Sequence, residues 1–220
     1  MNCKPVVSED IIEAARKLCI ERQCNDATGH SHYHSFRVHD TTVALQASEG
    51  GNPLKVCIAA LLHDVNDKKL LKKGVEPIDL VVFLSDCGLE IEIANHIVAI
   101  IDNISFKGAS VEQIVPDIET AIVMDADRLD AIGAIGIARA FAYGGATGHD
   151  LYEPDERPEM HSDEESYFAN RHCTVNHFHE KLLLLKDRMN TDTGKQMAQK
   201  RHNYMINFLK QFHAEWRGEI

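Results

Sequence analysis

The chain has 220 residues, 44% of them apolar and 26% charged, an ordinary balance for a soluble globular protein and a poor one for extended disorder. Its 34 acidic residues outnumber 23 basic ones, for a formal net charge of -11, which disfavours binding to a nucleic-acid duplex but leaves room for a small phosphate drawn in by a local basic pocket or a metal. No apolar run reaches the roughly 18 residues of a spanning helix, the N-terminus has no apolar leader core, and the six cysteines form no CxxC pair, so one cytoplasmic domain over residues 1–220 with reduced thiols and no membrane partner is expected.

The pattern reads as all-α, a compact multi-helix bundle with no alternating strand signal. Ser8 caps a first helix whose stripe is Ile11, Ala15, Leu18 and Arg22. A second runs from about Tyr33 to Glu49 and stops at Gly50-Gly51. Asn52-Pro53 starts a third, Leu54 to about Val65, apolar nearly all round and therefore central. Pro77 opens a helix ending near Gly88, and Leu89 to about Asp102 follows, with Ile91, Ala94, Ile97, Val98 and Ile101 at helical spacing. After a loop from Asn103 to Val115, Pro116 starts one long helix through Asp127 and Gly133–Gly136, whose glycines allow close backbone approach. A loop spans Tyr143 to Met160, and two long helices, about Asp163 to Met189 and Thr193 to Trp216, close the chain. The 144–160 stretch is long enough to serve as a lid or a homodimer contact, and nothing in its residues decides between them.

Thirteen histidines are many for this length, and neutral imidazole is the commonest metal ligand. The sharpest local feature is His63-Asp64, two metal-binding side chains at the end of an apolar helix. A self-contained His–Asp hydrogen bond, or an exposed helix end, would also account for that pair. Its context favours a ligand set. His34 begins a stripe with Val38, Thr41 and Leu45 on the preceding helix, and Asp127 lies among apolar neighbours in a segment carrying Asp125 and Asp130 as well. Surface exposure serves for two of those aspartates but not easily for three. Three helices would then each bring a nitrogen or oxygen ligand to one point.

This arrangement, His34…His63-Asp64…Asp127, resembles the H…HD…D motif of the HD-domain superfamily of metal-dependent phosphohydrolases. The likeness extends to segments 34–38 (His-Ser-Phe-Arg-Val), 59–65 (Ala-Ala-Leu-Leu-His-Asp-Val), 125–136, 141–145 and 177–183, similar to a branch of small stand-alone bacterial HD proteins. The resemblance implies an all-α fold around a metal and an enzyme that hydrolyses a phosphate ester or anhydride, with a nucleotide or similar small metabolite as substrate. In a related branch an acidic residue three positions after the HD aspartate assists the water, and the resemblance carries that role to Asp67.

The residues themselves support one divalent ion. Two imidazoles and two carboxylates supply a charge of about −2, and mixed nitrogen and oxygen ligation without thiolate suits Mn, Fe, Co, Ni or Mg, with Mn favoured. Such an ion lowers the pKa of a bound water and polarises a phosphoryl oxygen. Other members of the superfamily it resembles, iron-dependent oxygenases among them, hold two metals and need two further histidines between the HD pair and the last aspartate; between Val65 and Ala126 only His96 is present. His96 is then either a hydrogen-bonded histidine or a pocket residue near the phosphate. Phosphate donors are sought in Lys68, at the head of the basic run Lys68, Lys69, Lys72 and Lys73, in Arg37 one turn after His34, and in Arg128, with Lys107 a weaker choice. Asp130 is either a partner of a ligating imidazole or in a salt bridge with Arg128 or Arg139. His30, His32 and His39 receive no role. A catalytically silent nucleotide- or metal-binding regulatory module is the alternative reading.

Overall fold

The computed structural model describes residues 8–23, 31–67, 76–104, 115–159 and 173–220, and every regular element among them is helical. Lys68, the rest of its basic run, Lys107 and His30 lie outside the described residues. The chain divides into two compact units, Met1–Phe106 with Gln113–Asp127, and Lys107–Glu112 with Arg128–Ile220. No described helix is long and apolar enough to cross a membrane.

The first unit holds α1 (Ser8–Gln23), α2 (His32–Glu49), α3 (Pro53–Leu62), α4 (Leu80–Asp86), α5 (Ile91–Ile104) and most of α6 (Ile118–Asp130). Helix α3 is its centre. Asn52 accepts hydrogen bonds from the amides of Leu54 and Lys55, Pro53 takes the first turn, and Val56 through Leu62 are all buried. A helix apolar on every side has to be enclosed, and α1, α2 and α5 pack around it. It ends at Leu62, three residues earlier than the pattern suggests, and residues 63–66 form a turn. Helix α4 likewise starts later than Pro77. Asp79 is the cap, its carboxylate accepting from the amides of Val81 and Val82. Replacing Asp79 with alanine is expected to cost about 1 kcal/mol, read as a lower urea midpoint with an unchanged slope. On α5 the buried stripe is Ala94, Ile97, Ile100, Ile101 and Ile104, while Ile91 is half exposed.

In the second unit the single long helix expected from Pro116 is interrupted. Helix α6 ends at Asp130, and α7 (Gly133–Thr147) begins afresh with Gly133 at φ +79°. A side chain at Gly136 would collide with the carbonyl group of Ala131, so this glycine does permit a close backbone approach, but at a helix junction. Helix α7 then runs on to Thr147, so the 143–147 part of the expected loop is helical. The space a side chain would need at Gly144 is taken by the Thr174 hydroxyl. Helix α8 (Thr174–Glu180), a 3₁₀ turn (Leu182–Arg188) and α9 (Asp192–Trp216) complete the unit. The break at Lys181, where φ is −141°, divides what reads in sequence as one helix. Phe178 is fully buried, with ring centroids 5.9 Å from Phe141 and 6.1 Å from Phe208.

Burial in this unit, with the charge of Lys181 and His149 adding to it, pulls the His177 pKa from 6.5 down to about 3. His177 therefore stays neutral when folded and takes up a proton on unfolding. Its contribution to stability is complete above about pH 6.5 and is lost as pH falls toward 3. Between pH 7 and pH 5 the protein is expected to lose about 2 kcal/mol that His177→Gln does not lose, measured by urea unfolding at the two pH values.

Candidate metal centre

In the first unit His34, His63 and Asp127 stand close enough together to hold one ion, and Asp64 lies beside both imidazoles. His34 sits in the first turn of α2 and is 2% exposed. His63 caps the C-terminus of α3, Asp64 follows it in the turn, and Asp127 lies near the end of α6. The Nε2 atoms of His34 and His63 are 3.2 Å apart. Asp64 Oδ2 lies 3.5 Å from each of them, and Asp127 Oδ1 lies 3.3 Å from His34 and 3.7 Å from His63.

The separations among His34, His63 and Asp127, and those from Asp64 to the two imidazoles, are of the size shown by ligands of a common ion. Donor atoms bonded at about 2.1 Å to one ion sit about 3.0 Å apart at neighbouring octahedral positions and about 3.4 Å apart in a tetrahedron. The tautomer fits as well. His63 Nδ1 is 2.9 Å from the carbonyl oxygen of Ala60, which can only accept, so Nδ1 carries the proton and the Nε2 lone pair faces the cluster. Two buried imidazole nitrogens and two carboxylate oxygens converge, and a divalent cation balances the two negative charges. Both imidazoles are nearly inaccessible, whereas the side chains of Asp64 and Asp127 are 24% and 33% exposed, so the site opens on the carboxylate side.

The neighbouring aspartates differ from expectation. Asp125 is fully buried and so is Asp130, which leaves Asp127 as the partly exposed member of the three. Asp130 takes the Arg139 alternative, with Arg139 Nη1 2.6 Å from Asp130 Oδ2. Because α3 stops at Leu62, Asp67 does not share a helix face with Asp64. The amide of Asp67 instead donates to the Asp64 carbonyl, 3.1 Å away, closing the turn. Arg37 is half-buried on α2, one turn from His34. Arg128 donates to the main-chain carbonyl of Arg188. His39 pairs with Asp40 at 3.1 Å, and the His32 ring lies tilted against Tyr33 and edge-on to Phe36.

His96 belongs to a second cluster that sequence reasoning missed. Its Nδ1 is 2.8 Å from Lys55 Nζ and its Nε2 is 2.7 Å from Asp117 Oδ2. Asp117 also accepts from the Thr120 amide, and Glu119 accepts from the Asn52 amide. Burial raises the Asp117 pKa, but hydrogen bonds from Thr120 and His96 outweigh it and hold the carboxyl below its usual range. An ammonium can only donate, so His96 Nδ1 accepts from Lys55 and Nε2–H donates to Asp117. His96, Asp117 and Glu119 stand close enough to hold a cation. A cation on Nε2 would, however, force the proton onto Nδ1, against Lys55, and the arrangement is better described as a clamp between the starts of α3 and α6. The signal in sequence was Asp117, just after Pro116 and three residues before Thr120, at a capping position.

No family model matches the chain. It is 39% identical over 199 residues to the uncharacterized protein YpgQ of Bacillus subtilis, spanning 88% of both chains. A solved protein from Lactobacillus plantarum superposes with a TM-score of 0.82 at 37% identity, covering 96% of this chain and 99% of that one. An HD-superfamily hydrolase from Bacillus thuringiensis gives 0.73 at 40% identity with the same coverage. B. subtilis YpgQ, crystallised in complex with ADP, gives 0.73 at 33% identity over 95% of this chain and 97% of that one. With this extent of likeness, and with a His/Asp cluster capable of holding a metal, the chain belongs to the HD superfamily of hydrolases.

Proposed function

We propose that this protein is a metal-dependent phosphohydrolase that cleaves a phosphate ester or anhydride of a nucleotide or similar small metabolite, with residues 1–220 acting as one domain. The observation that carries this reading is the convergence of His34 Nε2, His63 Nε2, Asp64 Oδ2 and Asp127 Oδ1 within 3.2–3.7 Å along the measured pairs. These four residues would hold one divalent ion; the mixed nitrogen and oxygen set suits Mn, Fe, Co, Ni or Mg, of which Mn is the favoured choice. A divalent ion there supplies Lewis acidity toward a phosphoryl oxygen and makes a water nucleophilic near neutral pH.

The chain's own residues do the rest. His63 is locked in orientation by its Nδ1–H bond to Ala60, so its Nε2 stays aimed at the centre. The half-exposed edge formed by Asp64 and Asp127 admits substrate and water. Asp67, tied by its amide to the Asp64 carbonyl, is assigned to orient or deprotonate the attacking water. Arg37 and Lys68 are assigned as candidate contacts to the phosphate, and His96 and Arg128 would join them only by leaving Asp117 and the Arg188 carbonyl, their partners in this structure. The ADP complex of YpgQ supports a nucleotide as the ligand class.

The test is a screen of purified protein with Mn, Co, Ni and Mg against nucleoside mono-, di- and triphosphates. Release of phosphate or pyrophosphate that stops on addition of EDTA and returns with Mn is expected. Tight nucleotide binding with no turnover under any of these metals would leave a silent binding module instead.

A further inference from the structure

The His63–Asp67 turn poses a mechanical problem. Two proposed ligands, His63 and Asp64, stand beyond the last residue of α3, where the intrahelical hydrogen bonds run out. Within the turn, the Val65 amide donates to Leu62 and the Asp67 amide to Asp64, both over three residues. Such bonds alone hold a turn loosely. A cage that must keep ligand atoms within a few tenths of an ångström needs external support.

The last two residues of α1 supply it. Arg22 Nε donates to the Val65 carbonyl at 3.1 Å, and Nη2 donates to Asn66 Oδ1 at 3.3 Å and to the Glu76 carbonyl at 2.7 Å. Asn66 in turn donates to the Ile78 carbonyl at 2.7 Å and accepts from the Ile78 amide at 2.9 Å. The next residue, Gln23, is 1% exposed, and its Oε1 accepts from the Ser35 hydroxyl at 3.0 Å, one position after His34. Adjacent residues at the end of α1 therefore grip both segments that carry ligands: Arg22 the one bearing His63 and Asp64, Gln23 the one bearing His34. The planar guanidinium suits this task because its donors leave in fixed directions and meet three acceptors at once.

We infer that the Arg22-Gln23 end of α1 is a positioning brace for the metal cage, with Arg22 fixing the turn that carries His63 and Asp64. This rests on the proposed metal role of the four ligands; Arg22 itself acts through the turn and is not one of them.

The experiment compares Arg22→Ala, Arg22→Lys and Arg16→Ala by hydrogen exchange without metal and by titration with Mn. Arg16 lies on the same helix and sits over the Phe36 ring at 4.4 Å, so its loss removes a contact between α1 and α2 away from the turn. In Arg22→Ala, amide exchange across residues 63–67 should accelerate about tenfold or more while the interior of α3 is unchanged, and Mn affinity should fall about 10- to 100-fold. Arg22→Lys, which keeps the charge but not the fork, should fall between this variant and wild type, and it carries the test if Arg22→Ala does not fold. Arg16→Ala should match wild type in both measurements. Unchanged exchange across 63–67 in both Arg22 variants, or equal acceleration in Arg16→Ala, would overturn the brace. Failure of the wild-type protein to bind Mn would instead bring down the proposed function, and the exchange comparison would still decide what Arg22 does.

Discussion

Asp64→Ala and Asp127→Ala are each expected to lower turnover by at least about a hundredfold, since even residues that merely support a metal ligand typically account for 10–100-fold. The argument is one of charge and count. Two imidazoles are neutral donors, so the carboxylates supply all the negative charge that balances a divalent ion. Removing one leaves three ligands and half the charge, in a site whose two imidazoles are buried and cannot rearrange toward solvent. Asp127→Asn should behave similarly despite its unchanged size, which separates charge from shape. The same variants provide a readout independent of substrate. A ligand present at about 100 times its dissociation constant stabilises the folded state by about 2.7 kcal/mol, so Mn should raise the melting temperature of the wild type and leave those of the variants unmoved. A variant retaining wild-type rates and the full Mn-induced shift would remove that residue from the cage.

The largest effect on stability alone is expected from Phe178→Ala. Phe178 is fully buried in the second unit, and its neighbours Phe141 and Phe208 are themselves held by Phe212, with ring centroids 6.2 Å and 6.0 Å away. Truncating a buried phenylalanine costs about 3–5 kcal/mol through lost transfer free energy and the cavity left behind. That is a large part of the roughly 5–15 kcal/mol that keeps a domain folded. Urea unfolding should show the loss, and Phe178→Leu, which fills more of the space, should recover part of it. A cost below about 1 kcal/mol would mean that the aromatic cluster closes around the gap, contrary to the close packing described.

The proposed ligand set was suggested in sequence because metal-binding side chains set in apolar helical segments call for a partner. A histidine and an aspartate ending a helix as apolar as Val56–Leu62, and an aspartate among Ile122, Val123, Met124 and Leu129, demand a compensating partner, and the structure brings His34, His63, Asp64 and Asp127 together. The helical class was legible for the related reason that apolar residues recur at spacings of three and four. What escaped was set by backbone conformation or by distant partners. The junction between α6 and α7 depends on a positive φ at Gly133, and a glycine in sequence does not announce which conformation it takes. Past the end of α3 at Leu62, the Val65 carbonyl accepts from Arg22, a residue that reads locally as one polar interruption of an apolar stripe. His96 was legible as a hydrogen-bonded histidine, but its partners Lys55 and Asp117 stand 41 and 21 residues away, beyond any local pattern.

Anomalous diffraction at the manganese edge, from crystals grown with a stoichiometric amount of MnCl₂, tests the central claim most directly. A single strong peak within about 2.0–2.3 Å of His34 Nε2, His63 Nε2 and a carboxylate oxygen of both Asp64 and Asp127 is the expected result. A peak at His96 and Asp117 with none at His34, or a peak at the cage from which any of the four side chains is turned away, would contradict it.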